Sequence, residues 1–345
     1  MRKNIVIDLL KLKDLYCGLG QVSLNFGNAL SKIQHENINW HFLVPEDYIG
    51  YFGDIVNYVT KKNVLLLRDI DLWHSIHQEP KILPKYDCKR LLTIHDLNFI
   101  GEKSERKSQK RLKKLQKIID NNDNLCFISE YSRVVANEHL QIKKETGQSV
   151  IYNGVELSPD LAKPWFKIEN DFFFSIGVIK PKKNFKVLLP MMQLFPDIDL
   201  VIAGNNKGAY ANMLKKEIKK LNLESRVHLP GIITDAEKNW LYSNCKAFVF
   251  PSLYEGFGLP IIEAMRFGSP IICYKGSSLP EIGGTHAFYW DSFSPEDMKN
   301  TLVDGIEAYK NSEIAEKAVQ YASSFTWEKN AELYLKKYVE ILKIN

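Results

Sequence analysis

Glu255 and Glu263, with seven residues between them, lie in the stretch Phe250-Pro251-Ser252-Leu253-Tyr254-Glu255-Gly256-Phe257-Gly258-Leu259-Pro260-Ile261-Ile262-Glu263-Ala264. An ionised carboxylate only accepts hydrogen bonds, so the fitting partners are hydroxyl groups, as on a sugar or a ribose. The two are not an i,i+4 couple on one helix. Glu255 falls in the loop Glu255-Gly256-Phe257-Gly258, and Glu263 about one turn into a helix expected from Leu259 to Phe267. Pro260 suits the first turn of that helix. Ahead of the loop, Ala247-Phe248-Val249-Phe250 has the length and composition of a buried parallel strand, and Pro251 stops it. Strand, glycine loop and helix together leave unpaired N–H groups at a helix start, where a phosphate is favoured. Two carboxylates at different depths of one cleft are the result.

The run SLYEGFGLPIIEAMRFGSPII, with Leu279-Pro280-Glu281 after it, resembles the E-x7-E signature of the retaining glycosyltransferases called family 4. The specificity lies in the context of EGFG, LP, EAM and G-P, since a bare pair of glutamates so spaced occurs on many helices. The resemblance covers nearly all of the chain and is sharp from about Ser175 onward. It implies an α/β fold of GT-B type, two Rossmann-like domains facing across a cleft, with a C-terminal helix crossing back to the first. Residues 1–163 would form the acceptor-side domain, with 327–345 packed on it, and 170–325 the domain that binds a nucleotide-sugar. The implied reaction moves a hexose from a nucleoside diphosphate donor to an alcohol acceptor, keeping the anomeric configuration. The acceptor would be a saccharide or lipid-linked saccharide of surface glycan synthesis.

Site roles follow from the same resemblance. His95, Lys183 and Glu255 take the catalytic positions. Gly177, Lys182, Lys183, Glu255, Gly256, Phe257, Gly258, Leu259 and Glu263 take the donor-binding ones. Gly18, Leu19, Gly20 and Asp96 line the acceptor side, and neither metal nor cofactor is implied. His95-Asp96 in this setting resembles mannosyltransferases, which makes GDP-mannose the first expectation and a UDP-hexose the next. One departure stands out: many relatives carry arginine directly after the glycine of the second domain's first strand, where this chain has Val178. Lysine point charges must then serve the diphosphate in place of a bidentate guanidinium.

Strands must place these groups at their ends. In the first half they are expected at Asn4–Leu9, Trp40–Val44, Val64–Leu67, Leu72–Ser75, Arg90–His95, Asn124–Ile128 and Val150–Tyr152. Gly18-Leu19-Gly20 reads as a glycine turn before a helix carrying Val22, Phe26, Ala29, Leu30 and Ile33. His95 and Asp96 fall where a strand ends, the edge at which α/β folds place ligands. Asp96 either orients that imidazole or caps the turn. In the second half, strands are expected at Phe172–Gly177, Asp199–Asn205, Arg226–Ile233, Ala247–Phe250 and Ser269–Cys273, with a helix running on from Lys180-Pro181-Lys182-Lys183-Asn184-Phe185. Pro159 to Asn170 reads as the linker, and a last amphipathic helix follows Phe325-Thr326-Trp327. Asp69-Ile70-Asp71 and Asp197-Ile198-Asp199 spell a metal-binding D-x-D, but each directly precedes an apolar run and reads as a turn.

Composition narrows the alternatives. A chain of 345 residues suggests two domains, and 45% hydrophobic with 25% charged residues is ordinary for a globular protein. No run approaches the ~20 apolar residues of a membrane span, and the N-terminus reads as a first strand instead of a signal peptide. Five cysteines without C-x-x-C spacing imply neither a disulfide framework nor zinc, and a cytosolic setting is expected. The net charge of +5 is mild, and no nucleic-acid recognition motif accompanies it. Ser104 to Asn121, however, is densely basic (Arg106, Lys107, Lys110, Arg111, Lys113, Lys114, Lys117) above Leu112, Leu115, Ile118 and Ile119. With Lys103 these residues form a stripe suited to an anionic membrane, which would place the protein peripherally on the inner face of the plasma membrane; a solvated face is the alternative. A nucleotide-sugar epimerase and a catalytically silent nucleotide-binding subunit remain as other readings of the fold. A dehydrogenase is excluded, because the first βα turn lacks G-x-G-x-x-G.

Overall fold

The computed structural model describes residues 2–344 except Tyr16 and Tyr86, and of Leu65 the backbone alone. Met1 and Asn345, the outer ends of the expected first domain and tail helix, lie outside the described residues. The chain divides into two compact units, Met1–Glu156 with Phe325–Asn345, and Leu157–Ser324. The first carries seven strands: β1 (Lys3–Asp8), β2 (Ile38–Leu43), β3 (Val56–Val59), β4 (Leu72–Ser75), β5 (Lys89–Ile94), β6 (Asn124–Phe127) and β7 (Gly147–Val150). Their order is β3-β2-β1-β4-β5-β6-β7 and every pairing is parallel. The second carries β8 (Phe172–Ile176), β9 (Asp199–Ala203), β10 (Val227–Gly231), β11 (Ala247–Phe250), β12 (Ile271–Tyr274) and β13 (Phe288–Trp290), in the parallel order β10-β9-β8-β11-β12-β13. Central strands of both sheets read as unbroken apolar runs because helices cover both faces: Ile5, Val6 and Ile7 are fully buried, as are all four residues of β11.

Three of the four edge strands depart from expectation, β10 alone lying where it was expected. Val64–Leu66 is a turn of 3-10 helix, not a strand, and Leu66 is largely exposed. Asn63 explains the turn, since its side chain accepts the Thr60 N–H at 2.7 Å while the Val64 N–H returns to the Thr60 carbonyl. The strand in that region is β3, Val-Asn-Tyr-Val, which the apolar count passed over. β7 lies earlier than Val150–Tyr152, and β13 was not anticipated. An edge strand needs one partner and one covered face, so it tolerates Asn, Gln and Ser that a central strand would not.

Three further corrections concern segments near the expected site. Gly18-Leu19-Gly20 is the first turn of the helix Gly18–Leu30, capped by the Cys17 thiol, which accepts the Gly20 N–H. A side chain at Gly20 would overlap the Asp14 carbonyl. The segment after Lys180 forms two short 3-10 turns and then a helix at Leu188–Met192. Residues 157–165, expected as the end of the first domain and its linker, are strapped to the second unit. Asn239 Nδ2 donates to the carbonyls of Ser158 and Asp160, and the Trp165 N–H to Glu237.

The helix Trp327–Leu342 belongs to the first unit, where Trp327, Ala331, Tyr334 and Tyr338 enter the same core as β1 and β2. In the helix Glu105–Ile119, Leu112, Leu115 and Ile119 are buried, while Lys103, Arg106, Lys107, Lys110, Lys113, Lys114 and Lys117 are exposed. Arg111 leaves that stripe: it pairs with Glu79 at 2.8 Å and stacks over Phe99.

Candidate active site

In the second unit, β8 is followed directly by Gly177, whose φ of +148° is a glycine conformation. A Cβ there would meet Lys183 Cε at 3.0 Å, and one on Gly204 after β9 would overlap the Gly177 carbonyl. Glycine at both positions lets the strand ends crowd together and lets Lys183 fold back over them. The Lys183 ammonium donates to Glu255 Oε1 and stands 4.8 Å from the centroid of the Phe250 ring. The pair is mostly buried, with side-chain exposures of 13% and 14%. An ammonium has three hydrogens to give, and among the described residues Lys183 gives only this one.

The loop bearing Glu255 is held from two sides. Its N–H donates to Ser277 Oγ at 3.2 Å, and the Ser278 hydroxyl donates to the carbonyls of Glu255 and Phe257. The carbonyl of Lys182 accepts from the Leu253 N–H and the Ser252 hydroxyl, tying the lysine turn to the exit of β11. Gly258, at φ +113°, opens the helix Leu259–Arg266 with Pro260 in its first turn. Among the described residues the N–H groups of Gly258 and Leu259 reach no protein acceptor.

Glu263 is on that helix, and two residues that sequence reasoning missed hold it. Tyr242 donates to Oε2 at 2.9 Å, and Lys238 Nζ stands 3.5 Å from Oε1 and 3.0 Å from Asp235. Burial, and then Glu263, push the Tyr242 phenol well above its ordinary pKa, so it remains a donor. Burial works against the charge of Lys238, yet Glu263 and Asp235 outweigh it and its pKa is raised. The signal was present: 238 and 242 share a face at i,i+4 of the helix Asp235–Asn244, which Thr234 and Glu237 start with a capping box.

In the first unit, His95 follows β5 and is buried. Its Nε2 donates to the Ile76 carbonyl at 2.7 Å, its N–H donates to Gln78 Oε1, and Ser132 donates to its carbonyl. Burial lowers its pKa, so the ring is neutral. Asp96 accepts the Asn98 N–H at 2.9 Å, a turn cap two residues on. Gly18, Leu19 and Gly20 form a helix start in this unit. In each D-x-D segment the second aspartate is spent on protein donors: Asp71 on Lys3 and the Asn4 N–H, Asp199 on His228 and Asn170.

Asp8 was not singled out by the sequence. It ends β1 fully buried, accepts the Leu10 N–H on Oδ1, and has no partner on Oδ2. Burial raises its pKa to about 6. An unfolded aspartate ionises near ~3.9, so the folded state holds the proton more tightly. Any stabilisation this gives is complete below about pH 4 and is lost as pH rises to about 6; above that, the buried charge costs about 3 kcal/mol. Asp8→Asn should therefore raise the melting temperature at pH 7.5, with the gain shrinking toward pH 4. Equal gains at both pH values would show that the charge is not the cause.

Residues 161–325 match the family described as Glycosyl transferases group 1. The chain is 27% identical over 226 residues to the serotype-specific mannosyltransferase WbdA of Escherichia coli, a match covering 63% of this chain and 28% of that protein. The chain thus spans less than a third of that relative's length. Among solved structures, sucrose-phosphate synthase from Thermosynechococcus elongatus superposes with a TM-score of 0.75 at 17% identity, covering 100% of both chains. HepE of Anabaena, in complex with UDP and glucose, gives 0.74 at 17% identity, covering 98% of this chain and 100% of the other. The two parallel-sheet, Rossmann-like units are those of the GT-B fold.

Proposed function

We propose that the chain is a retaining hexosyltransferase of family 4 type, taking its sugar from a nucleoside diphosphate and passing it to a saccharide or lipid-linked saccharide. The observation that carries this is the buried Lys183–Glu255 pair beside the Gly256-Phe257-Gly258 loop and a helix start, within the unit that matches group 1. When the bond from the anomeric carbon to the diphosphate breaks, negative charge gathers on the leaving phosphate. The unused hydrogens of Lys183 and the Gly258 and Leu259 amides are fixed donors for that charge. Glu255 holds Lys183 in place and approaches the transferred sugar, while Glu263, steadied by Tyr242 and Lys238, takes the ribose hydroxyls. The acceptor oxygen forms the new bond to the anomeric carbon, and its proton leaves to the departing phosphate. Lysines and amides stabilise the charge, so the reaction needs no divalent metal. His95 serves the sugar, and Gly18, Leu19, Gly20 and Asp96 belong to the acceptor side.

Mannose is the first choice of sugar, supported by the likeness to WbdA; HepE keeps a UDP-hexose second. The test is a donor panel of GDP-mannose, UDP-glucose and UDP-galactose in excess chelator, with and without a lipid-linked saccharide, products being weighed by mass spectrometry. Transfer to the acceptor supports the reading. Isomerisation of the donor without acceptor, at unchanged mass and seen as a chromatographic shift to an epimer standard, would mean an epimerase, and binding without turnover a silent subunit.

A membrane partner fits the same acceptor. Among the described residues no helix is long and apolar enough to cross a membrane. Lys103, Arg106, Lys107, Lys110, Lys113, Lys114 and Lys117 are exposed, and among the described residues none of them forms a close ion pair, although the charge of Lys114 is felt at Glu79. Each basic side chain near an anionic surface contributes ~1 kcal/mol, enough together for reversible binding from the cytoplasmic side. Sedimentation with phosphatidylserine vesicles should fall with salt and drop when Lys110, Lys113, Lys114 and Lys117 become glutamine. Equal sedimentation of the two proteins would remove the membrane from the proposal.

A further inference from the structure

The first unit has a pocket of about 620 Å³ where β5, β6 and β7 begin, at the opposite end of the sheet from His95, and the roles above leave it unused. β5 runs from Lys89 in the pocket to Ile94 beside His95, so about 20 Å of strand separates the two edges. Asp123 knits the floor together. Its carboxylate accepts the Arg90 N–H at 2.8 Å, its N–H returns to the Arg90 carbonyl, and its carbonyl accepts the Gly147 N–H. Residue 147 must be glycine, because a Cβ there would overlap the Asn124 amide oxygen. Gln116 closes one side, donating to Asp120 Oδ1 and to the Gln141 carbonyl.

Other polar groups that line the pocket are unspent. The carboxylates of Asp87 and Glu145, the Thr146 hydroxyl, the Asn124 amide and the Lys343 ammonium have no hydrogen-bond or ion-pair partner among the described residues. Lys343 holds the left-handed conformation at φ +51°, which glycine or asparagine usually takes at a helix end. A lysine thus stands at the pocket wall where the backbone favours glycine.

The wall is balanced in charge: Lys89, Arg90, Lys143 and Lys343 stand against Asp87, Asp120, Asp123 and Glu145. A polyphosphate would meet the carboxylates, and a polycation the ammonium groups. An aromatic or lipid ligand would find little beyond Cys88 and Ile341 to pack on. No group of three metal-ligating side chains is assembled among the described residues. A polyhydroxyl compound meets none of these conflicts, because each hydroxyl both gives and accepts a hydrogen bond. We propose that this pocket binds a saccharide, a length of the glycan acceptor held at the edge of the sheet away from its growing end. The source of that glycan rests on the transfer reading; the binding itself does not.

Ligand-observed NMR titration of the full-length chain with oligosaccharides of mannose, glucose and galactose reads the binding. One series should bind, and Glu145→Ala combined with Lys343→Ala should weaken it about 10-fold or more, the size of two lost hydrogen bonds. Both residues are exposed, so the double variant should unfold at the wild-type denaturant concentration. Lys144→Ala removes a neighbouring exposed charge outside the pocket and should leave the affinity unchanged. With the donor that the panel identifies, the double variant should raise KM about 10-fold for an acceptor bearing a long glycan. Its KM for donor and for a disaccharide acceptor should stay at wild type. If no series binds, or the double variant binds as tightly as wild type, the saccharide site is overturned. Affinity lost with every acceptor KM unchanged would keep the saccharide and overturn the acceptor as its source. If affinity is lost in the double variant while wild type turns over no nucleotide-sugar, the transfer reading falls and the pocket stands.

Discussion

Lys183→Ala should cut turnover by about 10²- to 10³-fold, the range for removing one fixed donor from a developing oxyanion. Lys183 is held by Glu255 over the Phe250 ring and against Gly177, so no neighbouring lysine takes its place by rotation: Lys180 is exposed, and the Lys182 backbone is pinned to Ser252 and Leu253. The effect should fall on kcat more than on donor KM, because the leaving-group charge is fully grown only in the transition state. Glu263→Ala should show the opposite split. It removes an acceptor that serves ground state and transition state alike, so donor KM should rise by about 10- to 100-fold with kcat little changed. Steady-state kinetics of the two variants check both. A Lys183→Ala enzyme with wild-type turnover would sink the leaving-group assignment.

Tyr338→Ala should destabilise the first unit by about 3–5 kcal/mol, the usual cost of truncating a buried aromatic side chain. Tyr338 is fully buried, packs edge-on against Trp40 at 5.9 Å, and its hydroxyl bonds His74 Nδ1 at 2.7 Å. His74 continues through Nε2 to Thr93, and Thr93 to Tyr334, so one polar chain threads the core between helix and sheet. Burial takes His74 down to about 3, so this chain stays neutral across the working pH range. Tyr338→Phe keeps the packing and strands the His74 nitrogen, which should cost about 1–3 kcal/mol. Urea unfolding followed by tryptophan fluorescence and far-ultraviolet circular dichroism checks both. A Phe variant as damaged as the Ala variant would mean that the network outweighs the packing.

Both sheets were legible where their strands are central. Burial on two faces demands apolar runs such as Ile5-Val6-Ile7 and Ala247–Phe250, and these can be read without coordinates. The site's loop was legible too, because a glycine loop, a proline in the first helical turn and two glutamates are local chemistry. The sequence alone thus determined Glu255, Glu263 and Lys183 as the groups to examine, and the final helix as amphipathic. Of the edge strands β10 was read, but β3 and β13 were missed and β7 was set too late, because one covered face leaves only a weak pattern.

The tertiary structure decided which partners those groups have. That Glu255 holds Lys183, and that Tyr242 and Lys238 hold Glu263, depends on contacts between residues 72, 21 and 25 positions apart. Periodicity carries no record of such contacts. The tautomer of His95 was equally closed to sequence reading, since a backbone carbonyl fixes it. Asp8 is the clearest case: its letter is that of an ordinary turn residue, and only the packing around β1 makes it a buried carboxyl with an orphan oxygen. Local pattern reports which residues prefer to be buried. It does not report what a polar side chain meets once it is there, because that is set by the register of strands distant in the chain.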